Sequence, residues 1–270
     1  MRKLFFTIFG LLVFIPTLYA QSLTAQQTKA VQGIVHDYLL AHPEILIAMS
    51  QKLQLKQQQI MRTKLTESVL ANQSALVSDK ITPTIAPANS KVALIEFFDY
   101  NCAYCSKAYP VVKAIMQANP NVTYIFKEFP IFASRFDSSN YGANIAHAIY
   151  QRYGAKKYLA YHDAVYATGK DEGALKVSDI NDVLKNTLKL SKHQITKLKK
   201  LAKSEAIATQ IASTMSLGEK LGLRGTPGFI IMPLTGATKA NTTVIPGYTS
   251  QAALQQAIDK AMNQSRAAKS

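Results

Sequence analysis

An apolar run, Lys91 to Phe98 (KVALIEFF), leads through Asp99-Tyr100-Asn101 into Cys102-Ala103-Tyr104-Cys105, which holds the only two cysteines in 270 residues. Val92, Ala93, Leu94, Ile95, Phe97 and Phe98 are nearly continuous, the pattern of a central strand buried on both faces. The residues after the cysteines read as a helix that runs to about Gln117 and stops before Asn119-Pro120. Two thiols at the junction of a buried strand and a helix constrain this chain more than its composition does.

Four chemistries use such a pair. A structural zinc site needs four ligands, but there is no second cysteine pair, and His36, His42, His147, His162 and His193 lack ligand spacing. Covalent haem attachment needs histidine directly after the second cysteine, where Ser106 stands. Neither a metal nor a cofactor is therefore expected. An inert disulfide would close a loop of two intervening residues, and loop-closure stabilisation grows with loop length, so little is gained. A redox-active pair at a helix N-terminus is the reading we favour. The first turn of a helix presents unpaired amides and partial positive charge, which stabilise a thiolate at Cys102 below the free value of about 8.5. Each unit of lowering corresponds to roughly 1.4 kcal/mol in favour of the thiolate. Cys102 is expected to be the exposed attacking sulfur, and Cys105, one turn in, the resolving one.

The rest of the chain supplies a setting. Arg2 and Lys3, the apolar run Leu4 to Ile15, Pro16 and Leu18-Tyr19-Ala20 read as a signal peptide, residues 1–20, cleaved after Ala20. The run is shorter than the about 20 apolar residues that span a bilayer. Residues 21–80 have helical composition, with Val31, Ile34, Val35, Tyr38 and Leu39 on one face and Leu46, Met49 and Leu53 continuing it after Pro43. An apolar face on a long polar helical stretch implies self-association through residues 24–60. Residues 81–90, with Pro83 and Pro87, read as an extended linker. The domain at 91–270 reads strand, helix, strand, then helices over about 134–221, then strands at Phe229–Met232 and Thr242–Ile245 and a closing helix. This is α/β with a helical insertion. The net charge of +15, or +13 without Arg2 and Lys3, is thinly spread and accompanies no nucleic-acid motif. Nucleic acid is not an expected partner. Weak attraction to a cell envelope is what the charge leaves open.

The strand EFFDYN running into Cys102, the helix after it, and Gly225-Thr226-Pro227-Gly228 before a late strand resemble the DsbA-like family of periplasmic thioredoxin-fold disulfide oxidoreductases. The resemblance implies a thioredoxin fold with a helical insertion. It also implies a cis bond at Pro227, with Thr226 and Pro227 offering backbone groups to an extended substrate. Glu96 matches a buried acidic residue that transfers protons near the cysteines, and Lys127 is its proposed partner. Asp37 to Leu46 (DYLLAHPEIL) resembles the oligomerising segment of ScsC-type proteins, which implies an N-terminal oligomerisation stalk and a homo-oligomer, a dimer with a trimer as the alternative. Ala103-Tyr104, the redox-tuning dipeptide, and the Thr before Pro227 resemble disulfide isomerases more than DsbA, whose dipeptide is Pro-His. The implied function is formation or isomerisation of disulfides in unfolded or misoxidised exported proteins, with a DsbB- or DsbD-like membrane partner resetting the pair. The alternatives are a monomer-like dithiol oxidase and an envelope-associated interaction or chaperone protein.

Overall fold

The computed structural model describes residues 23–79 and 81–267, so the expected signal peptide lies outside the described residues. Among the described residues the chain divides into two compact units, one ending at Gln57 and the other beginning at Gln58.

In the first unit, helix α1 (Ala25–Ala41) starts at Thr24. The Thr24 hydroxyl accepts from the Gln27 amide at 3.2 Å and the Gln27 side chain accepts from the Thr24 amide at 2.9 Å, a reciprocal cap. Helix α2 (Glu44–Ala71) begins directly after Pro43, which suits the first turn. No residue of α1 is buried, and Ile34 and Leu40 are 69% and 70% exposed.

The second unit is built on a five-stranded sheet in the order β1-β3-β2-β4-β5. Its strands are β1 (Thr84–Ile85), β2 (Val92–Phe98), β3 (Thr123–Glu128), β4 (Gly228–Pro233) and β5 (Thr243–Pro246). β2 and β3 run parallel, joined by helix α4 (Ala103–Ala118); the other pairings are antiparallel. Between β3 and β4 lie helices α5 (Asp137–Tyr166), α6 (Val177–Asp182), α7 (Lys192–Ala202) and α8 (Glu205–Leu221), with a π-helical turn at Val183–Thr187. Helix α9 (Gln251–Ala267) closes the described chain. Two local signals bound these helices: Ser191 and Gln194 form a capping box at α7, and Gly222 ends α8 at φ 85°.

Strand alternation sorts the apolar residues into two cores. Leu94, Phe98, Tyr124, Phe126, Phe229 and Ile231 pack with residues of α4, α5 and α9. Ala93, Ile95, Phe97, Ile125, Ile230 and Met232 face the other way, against Leu65, Val69, Leu76 and Leu221. Two boundaries drawn from the sequence move as a result. The last turns of α2 and helix α3 (Gln73–Val77) belong to the sheet-bearing unit, because Leu65, Val69 and Leu76 cover an apolar sheet face that would otherwise meet water. The segment read as a linker is also not free: Thr84 and Ile85 pair with Ile125 and Tyr124 as the edge strand.

Candidate active site

β2 ends at Phe98, and the next three residues make the turn that sets Cys102. The Asp99 carboxylate accepts from the Asn101 amide at 2.8 Å and from the Phe132 amide at 2.9 Å. The Asp99 carbonyl accepts from the Cys102 amide at 3.1 Å. Asn101 donates to the Ser138 and Ser139 hydroxyls at 2.9 and 3.0 Å, and its Oδ1 accepts from the Gly173 amide at 3.1 Å. The helical insertion thus holds the turn from one side.

Cys102 stands at the N-cap of α4 with extended backbone, and both cysteines are free thiols. The Cys102 thiol donates to the Thr226 carbonyl at 3.3 Å, and the Thr226-Pro227 peptide is cis. The two sequence motifs, 124 positions apart, therefore meet at one sulfur.

The Cys102 pKa is lowered to about 6. The leading cause is the Cys105 thiol, which donates a hydrogen bond to the Cys102 sulfur; burial opposes it, and the Thr226 hydroxyl and the Cys105 and Tyr104 amides add to the lowering. The order differs from the sequence expectation, which put the helix amides first. No amide closes a side-chain cap on Cys102 in strict hydrogen-bond geometry. Burial, with the Cys102 hydrogen bond next, pushes Cys105 well above the usual thiol range. Exposure also departs from expectation. Cys102 is only 5% exposed against 1% for Cys105, because the Thr226 carbonyl closes on the thiol. The accessible part of the site is carried by Tyr104, 62% exposed, and by the exposed Arg224 and Gly225 that precede Thr226 in the chain. Ala103 is half-buried and Pro227 buried.

Glu96 lies on β2, buried on the same sheet face as Leu94 and Phe98. Its Oε2 has no hydrogen-bond partner among the described residues. Burial, then the Cys102 charge, raises its pKa to about 8. The expected Glu96–Lys127 pair is absent. In the β2–β3 register Glu96 is opposite Phe126 and Phe97 is opposite Lys127, so the two side chains leave opposite faces. The Lys127 ammonium instead donates to the Thr82 hydroxyl at 2.9 Å and pairs with the Asp79 carboxylate at 3.3 Å. Gln210 donates to both Asp79 and Thr82.

Glu128 was not singled out in the sequence. It lies one strand over on the Glu96 face, where Tyr100 and Tyr158 donate to its Oε1 at 3.1 and 3.0 Å. Burial pushes it well above the usual carboxylate range. The alternation Tyr124, Phe126, Glu128 carries the signal for its facing, but nothing in the sequence supplies its tyrosine partners.

A parallel strand-helix-strand unit, a cis-proline loop and a two-cysteine helix start define a thioredoxin-type oxidoreductase site. The family model described as Thioredoxin matches residues 78–260, and the model of the copper resistance protein ScsC N-terminal domain matches residues 27–59. The structure of Salmonella enterica Typhimurium BcfH is 37% identical, covering 87% of this chain and 96% of its own, with a TM-score of 0.77. A thioredoxin-like oxidoreductase from Silicibacter pomeroyi DSS-3 is 30% identical, covering 71% of this chain and 98% of its own, with a TM-score of 0.57. A linker-deletion mutant of Proteus mirabilis ScsC shares the fold at 24% identity, covering 91% of this chain and 100% of its own, with a TM-score of 0.60. A search of the curated proteins finds no match. The chain belongs to the thioredoxin family, among its thiol-disulfide oxidoreductases, and carries an N-terminal segment of the ScsC type.

Proposed function

We propose that the protein is a periplasmic, oligomeric thiol-disulfide oxidoreductase that isomerises and forms disulfides in exported proteins through Cys102 and Cys105. The observation that carries this reading is the Cys102 thiol at the N-cap of α4, 3.3 Å from the Thr226 carbonyl of the cis Thr226-Pro227 bond, with Cys105 in the first turn behind it. The Cys102 thiolate attacks one sulfur of a client disulfide. A bond from Cys102 to that sulfur forms, the client S–S bond breaks, and the electron pair leaves on the client's other sulfur. When another client thiolate then attacks the mixed disulfide, Cys102 departs as thiolate and the disulfide has moved with no net redox change. When Cys105 attacks instead, the client leaves reduced and the Cys102–Cys105 disulfide forms; run in reverse from that disulfide, the same exchange forms a client disulfide and leaves both cysteines as thiols. That second path needs Cys105 to lose a proton, and Glu96, held near 8 by burial, is the nearby acceptor. Thr226 and Pro227 present the backbone edge to the client, and Ala103-Tyr104 tunes the pair. A DsbB- or DsbD-like membrane protein resets its redox state.

The exposed apolar residues of α1 and the match of residues 27–59 to the ScsC N-terminal domain support self-association. We take the unit to be a homodimer through residues 24–60, with a trimer as the alternative. No helix among the described residues is long and apolar enough to cross a membrane. The N-terminal sequence supports export.

Refolding of scrambled ribonuclease, with insulin reduction alongside, tests the reading. The mature chain is expected to reactivate the ribonuclease, and Cys102→Ser to abolish both activities. Insulin reduction without ribonuclease reactivation would favour the monomer-like oxidase. Client protection surviving in Cys102→Ser would favour the interaction protein.

A further inference from the structure

Thr226, whose carbonyl receives the Cys102 thiol, lines one of two grooves that share Pro246. The nearer, about 240 Å³, lies between Met61 and Leu65 of α2, Arg224 and Thr226 of the cis-proline loop, and Pro246. The second, about 500 Å³, follows β5 between Arg62 of α2 and Lys260 of α9. Thr226 ties the first groove to the reacting sulfur, since its carbonyl receives the Cys102 thiol. That contact makes the nearer groove the candidate seat for a client chain bonded to Cys102.

Three features define what fits. β5 is the last strand of the sheet order, so its outer side is unpaired by any strand among the described residues, and an unpaired edge accepts an extended chain by backbone hydrogen bonding. Met61 is 48% exposed at the mouth of the groove, an adaptable apolar side chain suited to varied partners. Arg62 and Lys260 are exposed, and neither has a carboxylate partner among the described residues; Lys260 donates only to the Thr242 carbonyl, at 3.4 Å.

We propose that the segment next to the client cysteine lies in this groove as an extended chain, an apolar residue first between Met61 and Pro246, acidic residues next along the free edge of β5 between Arg62 and Lys260. The inference rests on the thiol-exchange reading and adds to it a client preference. It also gives the C-terminal turns of α2 a part in choosing clients, beyond the segment that matches the ScsC N-terminal domain, which ends at residue 59.

The test uses the reduced full chain and two short peptides, each with one cysteine as its glutathione mixed disulfide, a leucine beside it, and then two glutamates or two lysines. Glutathione disulfide alone is the small-molecule reference. The acidic peptide is expected to react about tenfold faster than the basic one, the worth of two exposed charge contacts. Arg62→Glu with Lys260→Glu is expected to remove or reverse that preference. Met61→Ser is expected to lower the acidic-peptide rate, relative to glutathione disulfide, about fivefold, on the order of 1 kcal/mol of lost apolar contact. Equal rates for the two peptides, or a preference that survives the double charge reversal, overturn the inference while leaving exchange intact. A Cys102 inert toward glutathione disulfide takes down the exchange reading and this inference together.

Discussion

Glu96 and Lys127 are diagonal neighbours on adjacent strands, yet one serves the sulfur side of the sheet and the other the far side. The sequence places both in apolar strand patterns, so their burial is legible; their pairing is not, because one residue of register decides which face each one leaves. The consequences differ by face. Glu96 titrates near 8 in the fold against 4.5 for an ordinary glutamate, so its contribution to stability is fully present below 4.5 and is lost as pH rises through 8. Glu96→Gln should therefore stabilise the reduced protein by on the order of 3 kcal/mol at neutral pH, and by little at pH about 4, in denaturant unfolding. The same substitution should slow Cys105-dependent release of mixed disulfides by about 100-fold, as rapid-quench alkylation would record. At Lys127, burial pulls the ammonium down against the pull of Asp79. Burial also opposes ionisation of Asp79, but Thr82, the Ile81 amide, Lys127 and Gln210 outweigh it and lower the carboxyl to about 2. Lys127→Met should cost about 3 kcal/mol of stability while leaving the Cys102 titration where it was. A shift in that titration would put Lys127 back on the sulfur side.

At the scale of elements, the pattern of strands and helices was readable because each element carries its own period and its own stops. The strand before the cysteines, the capping box at Ser191 and the glycine cap at Gly222 are local signals, and local signals survive without a structure. Residues 81–90 read as extended, and Thr84 and Ile85 are, but their pairing is not legible for the opposite reason. Two prolines and small side chains describe an extended chain, and an extended chain becomes an edge strand only when a neighbour with free backbone groups, here β3, is beside it. Likewise Leu65, Val69 and Leu76 look too sparse to matter until the sheet face they cover is known. One contact between elements can be probed directly. Gly218 of α8 sits so close to the Phe129 ring that an added Cβ would lie 2.6 Å from it. Gly218→Ala should destabilise by about 1–3 kcal/mol, seen as a lower denaturation midpoint, since the ring must move within a packed core. An unchanged midpoint would mean that the ring shifts freely.

Across the whole molecule, two compact units and one reactive sulfur have to be reconciled. The first unit exposes an apolar series from Val31 to Leu53, and the second holds the complete site geometry, so the self-association proposed for the first can be tested apart from exchange. A chain beginning at Gln58 should be monomeric by light scattering, retain insulin reduction, and lose most of its scrambled-ribonuclease reactivation. Retained reactivation would detach isomerisation from assembly. Either form depends on a sulfur that ionises easily, and the most direct test is the pH titration of thiolate ultraviolet absorbance in the reduced full chain, with Cys102→Ser as the blank. The account requires a transition near pH 6 that vanishes in Cys102→Ser; a transition at about 8.5 or above, where an ordinary thiol titrates, would contradict it.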